Sequence, residues 1–437
     1  MGHTITALDI KINEFLNIPY AEPPIGKLRF SPPLPLKTPK HVIIDGTKPG
    51  NYCIQSAIGF GGIKTFVPQS EDCLVLNIWT PNVNNSNAKQ PKGALKAVMY
   101  SLYSGGLSIG SIFQDFYNGD VLATNDVVVV SANYRVGPLG FLYGSDDTAP
   151  GNVGFYDQLL GLKWVRQNIH QFGGDKDKIT IFGFSAGSWS VSAHILSPLS
   201  KGMFKRGVMS GGALMFNRDR PVLNTTEALQ KAKQLAKRLN CTQSDNKWSL
   251  NCNERDNKWL DCLRTIKDPN VFIERSNSTM VVTHPVFGTK FLPLIPQKAF
   301  KTGQYNSDVE ILAGTAKNEG SVLSRWVIPE LKYAITERQF RAFVNVVNNE
   351  FHNIDVDKVS EYYLRGVHKS DSKQLKSAFE ALFGDLVMTC PTKPHEDWPQ
   401  VWDKSVIRVK DLSPNDMTLI LENPYERTCD GIWKQYF

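Results

Sequence analysis

No stretch of this 437-residue sequence approaches the eighteen or so apolar residues that a membrane-crossing helix needs; the valine run at 127–130 stops at Ser131. Lysine and arginine never gather into a block. The totals, 49 basic against 42 acidic residues, leave a net charge of +7 spread along the chain. Without a basic patch, that surplus is poor support for nucleic-acid or anionic-membrane binding. None of the seven cysteines forms a C-x-x-C pair, which argues against a zinc ribbon or a dithiol redox centre. No metal or cofactor site is expected. The opening text, Met1-Gly2-His3-Thr4-Ile5, has no basic patch followed by an apolar run, so no signal peptide is read there.

Other features point toward a secretory origin. The scattered cysteines, at 53, 73, 241, 252, 262, 390 and 429, suit disulfides. Four N-x-S/T sequons start at Asn84, Asn224, Asn240 and Asn277. Together with the missing leader they give the expectation of a secreted glycoprotein whose amino terminus is incomplete.

With 41% hydrophobic and 21% charged residues, the composition is that of a globular protein with ample chain for a large core. Short extended segments, 15–20 and 73–79, come first. Residues 94–210 then alternate between apolar strands (97–102, 127–133, 178–183, 206–210) and helices (158–172, 186–196). That alternation implies an α/β fold with a mostly parallel, twisted sheet covered on both faces. Residues 222–275 read as lysine-rich helix and carry an eleven-residue duplication, Asp245-Asn246-Lys247-Trp248 recurring as Asp256-Asn257-Lys258-Trp259. Two copies are too few for a solenoid and fit a local duplication. A strand at 309–313, helices over 337–383 and a short strand at 417–421 complete the reading.

The densest chemical signal is Gly183-Phe184-Ser185-Ala186-Gly187. The pentapeptide alone is a weak match, but here a strand leads directly into it and a helix directly out. That setting is what a nucleophile elbow requires: a turn so tight that flanking glycines let it pass, lifting the serine to the sheet edge near the positive end of a helix. A nucleophilic serine also needs donors where negative charge develops. Ala186 supplies one backbone N–H, and Tyr103-Ser104-Gly105-Gly106-Leu107, following the 97–102 strand, is placed to supply others. Each such donor is typically worth about 3–4 kcal/mol in the transition state.

Further text ties these pieces together: Phe15-Leu16-Asn17-Ile18-Pro19-Tyr20-Ala21-Glu22-Pro23-Pro24, Ser70-Glu71-Asp72-Cys73-Leu74, Asn133-Tyr134-Arg135-Val136-Gly137, Gly151-Asn152-Val153-Gly154, Phe172-Gly173-Gly174-Asp175 and Ser210-Gly211-Gly212-Ala213. In order and spacing this resembles the type-B carboxylesterase, or cholinesterase-like, family of α/β-hydrolases. The resemblance implies one α/β-hydrolase domain over 1–437, with helical insertions at about 222–275 and 334–383. It implies Ser185 as nucleophile, Gly105, Gly106 and Ala186 as oxyanion donors, and Glu319 as the acid that orients a histidine. It also implies disulfides Cys53–Cys73, Cys241–Cys262 and Cys390–Cys429, with Cys252 left over, and a small-molecule ester as substrate.

The chain departs from the family pattern in several places. Ser104 stands where the oxyanion loop has its first glycine, and Phe184 stands where a glutamate usually precedes the nucleophile. No tryptophan lies between Cys53 and Cys73, which weighs against a quaternary ammonium substrate.

The largest departure concerns the general base. Of the eight histidines, His194 lies nine residues beyond Ser185, roughly 13.5 Å along a helix, and cannot reach it. His3, His41, His170, His284, His352 and His368 read as structural or solvated. His395 stands in a segment that aligns better with the family's extreme carboxyl terminus, because Trp398-Pro399 precedes Cys429 by 31 residues. Cys390 and Trp398 are only eight apart, where the family carries a much longer segment. The expectation is therefore an internal loss near residue 393 that removed the catalytic histidine and a core strand next to 309–313, with His395 as a substitute base at best. Losing one triad member costs about 10⁴–10⁶ in kcat. The alternative is a non-catalytic binding, adhesion or ligand-sequestering relative, against which the retention of Ser185 and Glu319 weighs.

Overall fold

The structure, a computed structural model, describes residues 1–37, 43–56, 68–81, 94–215, 221–241, 258–276, 283–392, 408–410, 420–422, 429 and 432–433. Eight strands form its main sheet: β1 (His3–Ala7), β2 (Ile10–Pro19), β3 (Val75–Pro81), β4 (Lys96–Leu102), β5 (Val128–Ala132), β6 (Gly174–Phe184), β7 (Arg206–Ser210) and β8 (Glu310–Gly314). Their spatial order is β1-β2-β3-β5-β4-β6-β7-β8. The first three joins are antiparallel, whereas β5–β4 and β4–β6 are parallel. The result is the mixed, mostly parallel sheet of an α/β-hydrolase fold, flanked by helices.

By contact density the chain divides into two compact units, the first comprising residues 1–208, 223–293 and 306–312 and the second residues 209–222, 294–305 and 313–437. In the first unit, β3 and β5 are buried along their whole length, as apolar runs covered on both faces must be. Helix α1 (Val153–Asn168) starts five residues earlier than its apolar spacing indicated, and a 3₁₀ turn, Ile169–Phe172, ends it at Gly173. Helix α2 (Ala186–Leu196) is buried throughout. The insertion supplies α3 (Thr225–Arg238), capped by the Asn224 side chain, and α4 (Lys258–Thr265). Leu235, Ala236, Leu260, Leu263 and Phe272 from this region form a core with Phe30, Leu139 and Leu142.

Two buried polar assemblies brace this unit. Arg135 and Asp157 pair through Nη2–Oδ1 at 2.6 Å and Nε–Oδ2 at 2.8 Å, and the Arg135 N–H also donates to Oδ2 at 3.0 Å. Burial pushes the Asp157 carboxyl up despite that guanidinium. His194 Nδ1 lies 2.8 Å from Ser200 Oγ and Nε2 3.1 Å from Gln158 Oε1, while Gln158 Nε2 donates to Ser190 Oγ at 2.9 Å. Burial drives the His194 pKa down to about 3, so the ring stays neutral and structural.

The second unit is helical: α5 (Gly320–Val327), α6 (Glu337–Phe351), α7 (Val356–Tyr363) and α8 (Ser372–Gly384). Thr336, Asp355 and Asp371 cap the last three, Thr336 as half of a capping box with Gln339. Helix α8 runs into a π-helical turn, Asp385–Thr389, where the Tyr363 hydroxyl donates to Asp385 Oδ2 at 2.8 Å and Trp433 Nε1 donates to Tyr363 at 2.6 Å.

The disulfides are Cys53–Cys73, Cys241–Cys262 and Cys390–Cys429, the pairing the resemblance implied. Asn240 is exposed; Asn84, Asn277, Cys252, His41 and His395, with the first copy of the duplication, lie outside the described residues. The strand read at 417–421 is described only from Ile420 to Glu422. No described helix is long and apolar enough to cross a membrane. Among the described residues β8 is the last strand of the sheet, and Leu312 on it is 67% exposed.

Candidate nucleophile elbow and oxyanion loop

Strands β4 and β6 set the site's position. They pair in parallel, with Phe182 opposite Ser101 and Gly183 opposite Leu102, so both chains leave the sheet at the same edge. Two residues beyond Gly183, Ser185 adopts φ 52° and ψ −122°, backbone angles that an L-residue accepts only under compulsion. The glycines on either side supply it. A Cβ on Gly187 would lie 2.1 Å from the Leu102 carbonyl oxygen, and one on Gly183 would lie 2.6 Å from that same oxygen. The turn fits against β4 only because neither position carries a side chain.

Ser185 is the N-cap of α2, and its carbonyl accepts the first helical bond, from Trp189 N at 2.9 Å. Its hydroxyl does not cap the helix, and among the described residues nothing is hydrogen-bonded to it. The first-turn N–H of Ala186 has no partner within the helix.

The loop after β4 is fastened at both ends. At the start, Tyr103 stacks on Tyr134 with ring centroids 3.9 Å apart, and each hydroxyl donates to the other's carbonyl oxygen. At the far end the buried Gln55 side chain meets Gly110 as a strand would, donating to its carbonyl and accepting its N–H, both at 2.8 Å. Between them Gly105 (φ 120°) and Gly106 (φ 62°) take angles that favour glycine, and a Cβ on Gly105 would strike the Ile109 carbonyl at 2.0 Å. The Gly106 carbonyl is turned away to accept Thr283 N at 2.8 Å. Among the described residues no hydrogen bond uses the Gly105 or Gly106 N–H.

Ser104 explains itself here. It is not among the positive-φ residues, so a side chain costs nothing, and its N–H donates to the Tyr117 hydroxyl at 2.5 Å. Tyr117 also stacks on Phe184. Motif reading missed Tyr117, Gln55 and Thr283, because each reaches the loop from outside any motif. Tyr134 lay within a quoted motif, without a stated role.

Glu319 belongs to the second unit. It precedes α5, whose Gly320 packs so tightly on α8 that a Cβ there would overlap the Glu380 carbonyl at 1.7 Å. Oε1 accepts Ala316 N at 2.6 Å and lies over Gly211, where a Cβ would sit 2.8 Å from it. Gly211 (φ 65°) is itself held by its N–H to the Gly314 carbonyl at 2.7 Å. Burial pushes the Glu319 carboxyl up, partly offset by the Ala316 N–H. Among the described residues no histidine is hydrogen-bonded to Ser185 or Glu319.

Known proteins resemble this chain along most of its length. The model of the carboxylesterase family matches residues 2–397. Among curated proteins, an acetylcholinesterase of Leptinotarsa decemlineata is 32% identical over 422 residues, covering 90% of this chain and 65% of that protein. Acetylcholinesterase-1 of Trittame loki is 33% identical over 402 residues (87% and 68%), and an acetylcholinesterase of Danio rerio 35% over 398 (86% and 59%). The chain thus spans 59–68% of the length of these relatives.

Proposed function

The chain belongs to the carboxylesterase family, and on that premise we propose that it is a serine carboxylic-ester hydrolase with an impaired proton relay. Ser185 attacks the acyl carbonyl, the N–H groups of Gly105, Gly106 and Ala186 receive the developing oxyanion, and water releases the acyl group in a second step. Glu319 has the role of orienting a histidine. The observation that carries the reading is the forced backbone of Ser185, wedged against Leu102 by two glycines. Strain of that kind clusters at sites where the residue has a task.

The substrate is a small neutral ester, reached without metal or cofactor. The relatives are named for acetylcholine, but the loop closed by Cys53 and Cys73 has no tryptophan to stack on a quaternary ammonium. We further propose one α/β-hydrolase domain over the whole chain, an extracellular location in keeping with three disulfides, and glycosylation at the sequons, of which Asn240 is exposed.

A second reading, a non-catalytic binding, adhesion or ligand-sequestering protein, is favoured by one observation: the Ser185 hydroxyl has no histidine partner among the described residues. Fluorophosphonate labelling and p-nitrophenyl butyrate turnover, measured beside Ser185→Ala and His395→Ala, separate the two. Hydrolysis predicts labelling lost in Ser185→Ala, with slow turnover indifferent to His395→Ala. Turnover abolished by His395→Ala makes that residue the base. A folded protein that neither labels nor turns over is the binding protein.

A further inference from the structure

Phe184, immediately before Ser185, is 45% exposed, and Phe116 is 65% exposed. Large aromatic rings left in solvent on two separate segments would be unremarkable singly. Here one tyrosine joins them. The Tyr117 ring stacks on Phe184 with centroids 6.0 Å apart and planes at 25°, and leans on Phe116 at 4.3 Å and on Tyr103 at 6.1 Å. Its hydroxyl holds the Ser104 N–H, one residue ahead of Gly105. The three rings therefore run continuously from the residue beside the nucleophile to the residue beside the oxyanion donors, and the outer two, Phe184 and Phe116, keep exposed surface while Tyr117 is largely buried between them.

We propose that Phe184, Tyr117 and Phe116 form an aryl-binding shelf next to Ser185, selecting esters in which one substituent is a flat, uncharged ring. The inference rests on Ser185 being the nucleophile. The shelf is fixed before any ligand arrives, because Tyr117 is anchored through a backbone amide, so an incoming ring adds to an existing stack without an ordering cost. No carboxylate belongs to the stack. Burial holds the Tyr117 hydroxyl far above its ordinary range, keeping it uncharged. An ammonium would gain only the cation–π attraction of the ring faces, with no carboxylate in the stack to add to it, whereas a flat neutral ring gains both stacking and burial.

Three methylphosphonofluoridates, bearing a phenoxy, an ethoxy or a trimethylammonioethoxy group, test this. In each the Ser185 oxygen forms a bond to phosphorus, the P–F bond breaks, fluoride leaves and the hydroxyl proton passes to solvent, so no turnover is needed. Second-order labelling rates are read by intact mass. The native chain should label faster with the phenoxy reagent than with either of the others, and the phenoxy-to-ethoxy ratio should fall roughly five- to tenfold in Phe184→Ala. Phe116→Ala, altering a more exposed ring, should lower the same ratio by a smaller factor. Thermal melts confirm that each variant is folded. An unchanged ratio in both variants overturns the shelf while Ser185 labelling stands. A native preference for the cationic reagent also overturns it, making the rings a cation site. Labelling that persists in Ser185→Ala, or is absent from the native chain, removes the nucleophile and the shelf together.

Discussion

Gly187 and Leu102 are packed so closely that one added carbon on the former would lie 2.1 Å from the carbonyl oxygen of the latter. This contact presses the start of α2 against the end of β4 and brings Ser185 toward the loop that follows β4. Gly187→Ala should therefore cost about 3 kcal/mol or prevent folding, since neither partner is a side chain that can swing away. Gly173→Ala is the control. Its Cβ would meet nothing within 4 Å, although φ is +80°, so it pays only backbone strain of about 1 kcal/mol. Urea denaturation of the two variants should rank them in that order; equal losses would mean the close approach to Leu102 is not the constraint.

Ser185 is the strained residue of that turn, at φ 52° and ψ −122°. Ser185→Gly should raise stability by about 1–2 kcal/mol while abolishing fluorophosphonate labelling. A variant that loses label and is also less stable would show that the serine side chain contributes to packing and that the backbone is not under tension.

Gln55 holds the loop after β4 through two hydrogen bonds to Gly110. Gln55→Leu leaves a buried N–H and C=O without partners, each costing about 1–3 kcal/mol. The loop should loosen, and the labelling rate of Ser185 should fall by at least tenfold, with far-ultraviolet circular dichroism unchanged. A labelling rate within twofold of the native value would remove Gln55 from any positioning role.

The Asp385 carboxyl, raised to about 6 by burial with the Tyr363 hydroxyl opposing, makes stability pH-dependent. Between about pH 4, where the unfolded chain releases this proton, and pH 6, the folded chain holds more protons. Stability from this group is therefore full below pH 4 and declines as pH rises through 6. Asp385→Asn lacks the titration, so relative to the native chain its melting temperature should climb across that interval and level off above pH 7. Parallel curves would place the titration elsewhere.

Much of this was legible in the chain itself. Helix 186–196 and strand 206–210 match α2 and β7 at both ends, because glycine punctuation and apolar runs mark them locally. Strand β6 begins at Gly174, not 178, since polar Asp175, Lys176, Asp177 and Lys178 extend it without an apolar signal. The β1–β2 hairpin escaped notice because Leu8 and Asp9 turn it with φ of 46° and 62°, residues that carry no glycine cue. The elbow was readable because one pentapeptide holds its steric requirements. The supports of the loop after β4 were not, because Gln55, Tyr117 and Thr283 are brought to it by the fold.

Arg29 has a consequence for how the molecule is made. Its Nε and Nη2 hold Glu71, each at 2.7 Å, and its Nη1 donates to the carbonyls of Leu263 and Ile266, both at 2.9 Å. During synthesis the guanidinium can engage Glu71 early, but its remaining donor waits until residue 266 has left the ribosome. Until residue 266 emerges, the guanidinium lacks two of its acceptors, and a nascent chain arrested before that point should be cleaved more readily around Arg29 than one arrested after it.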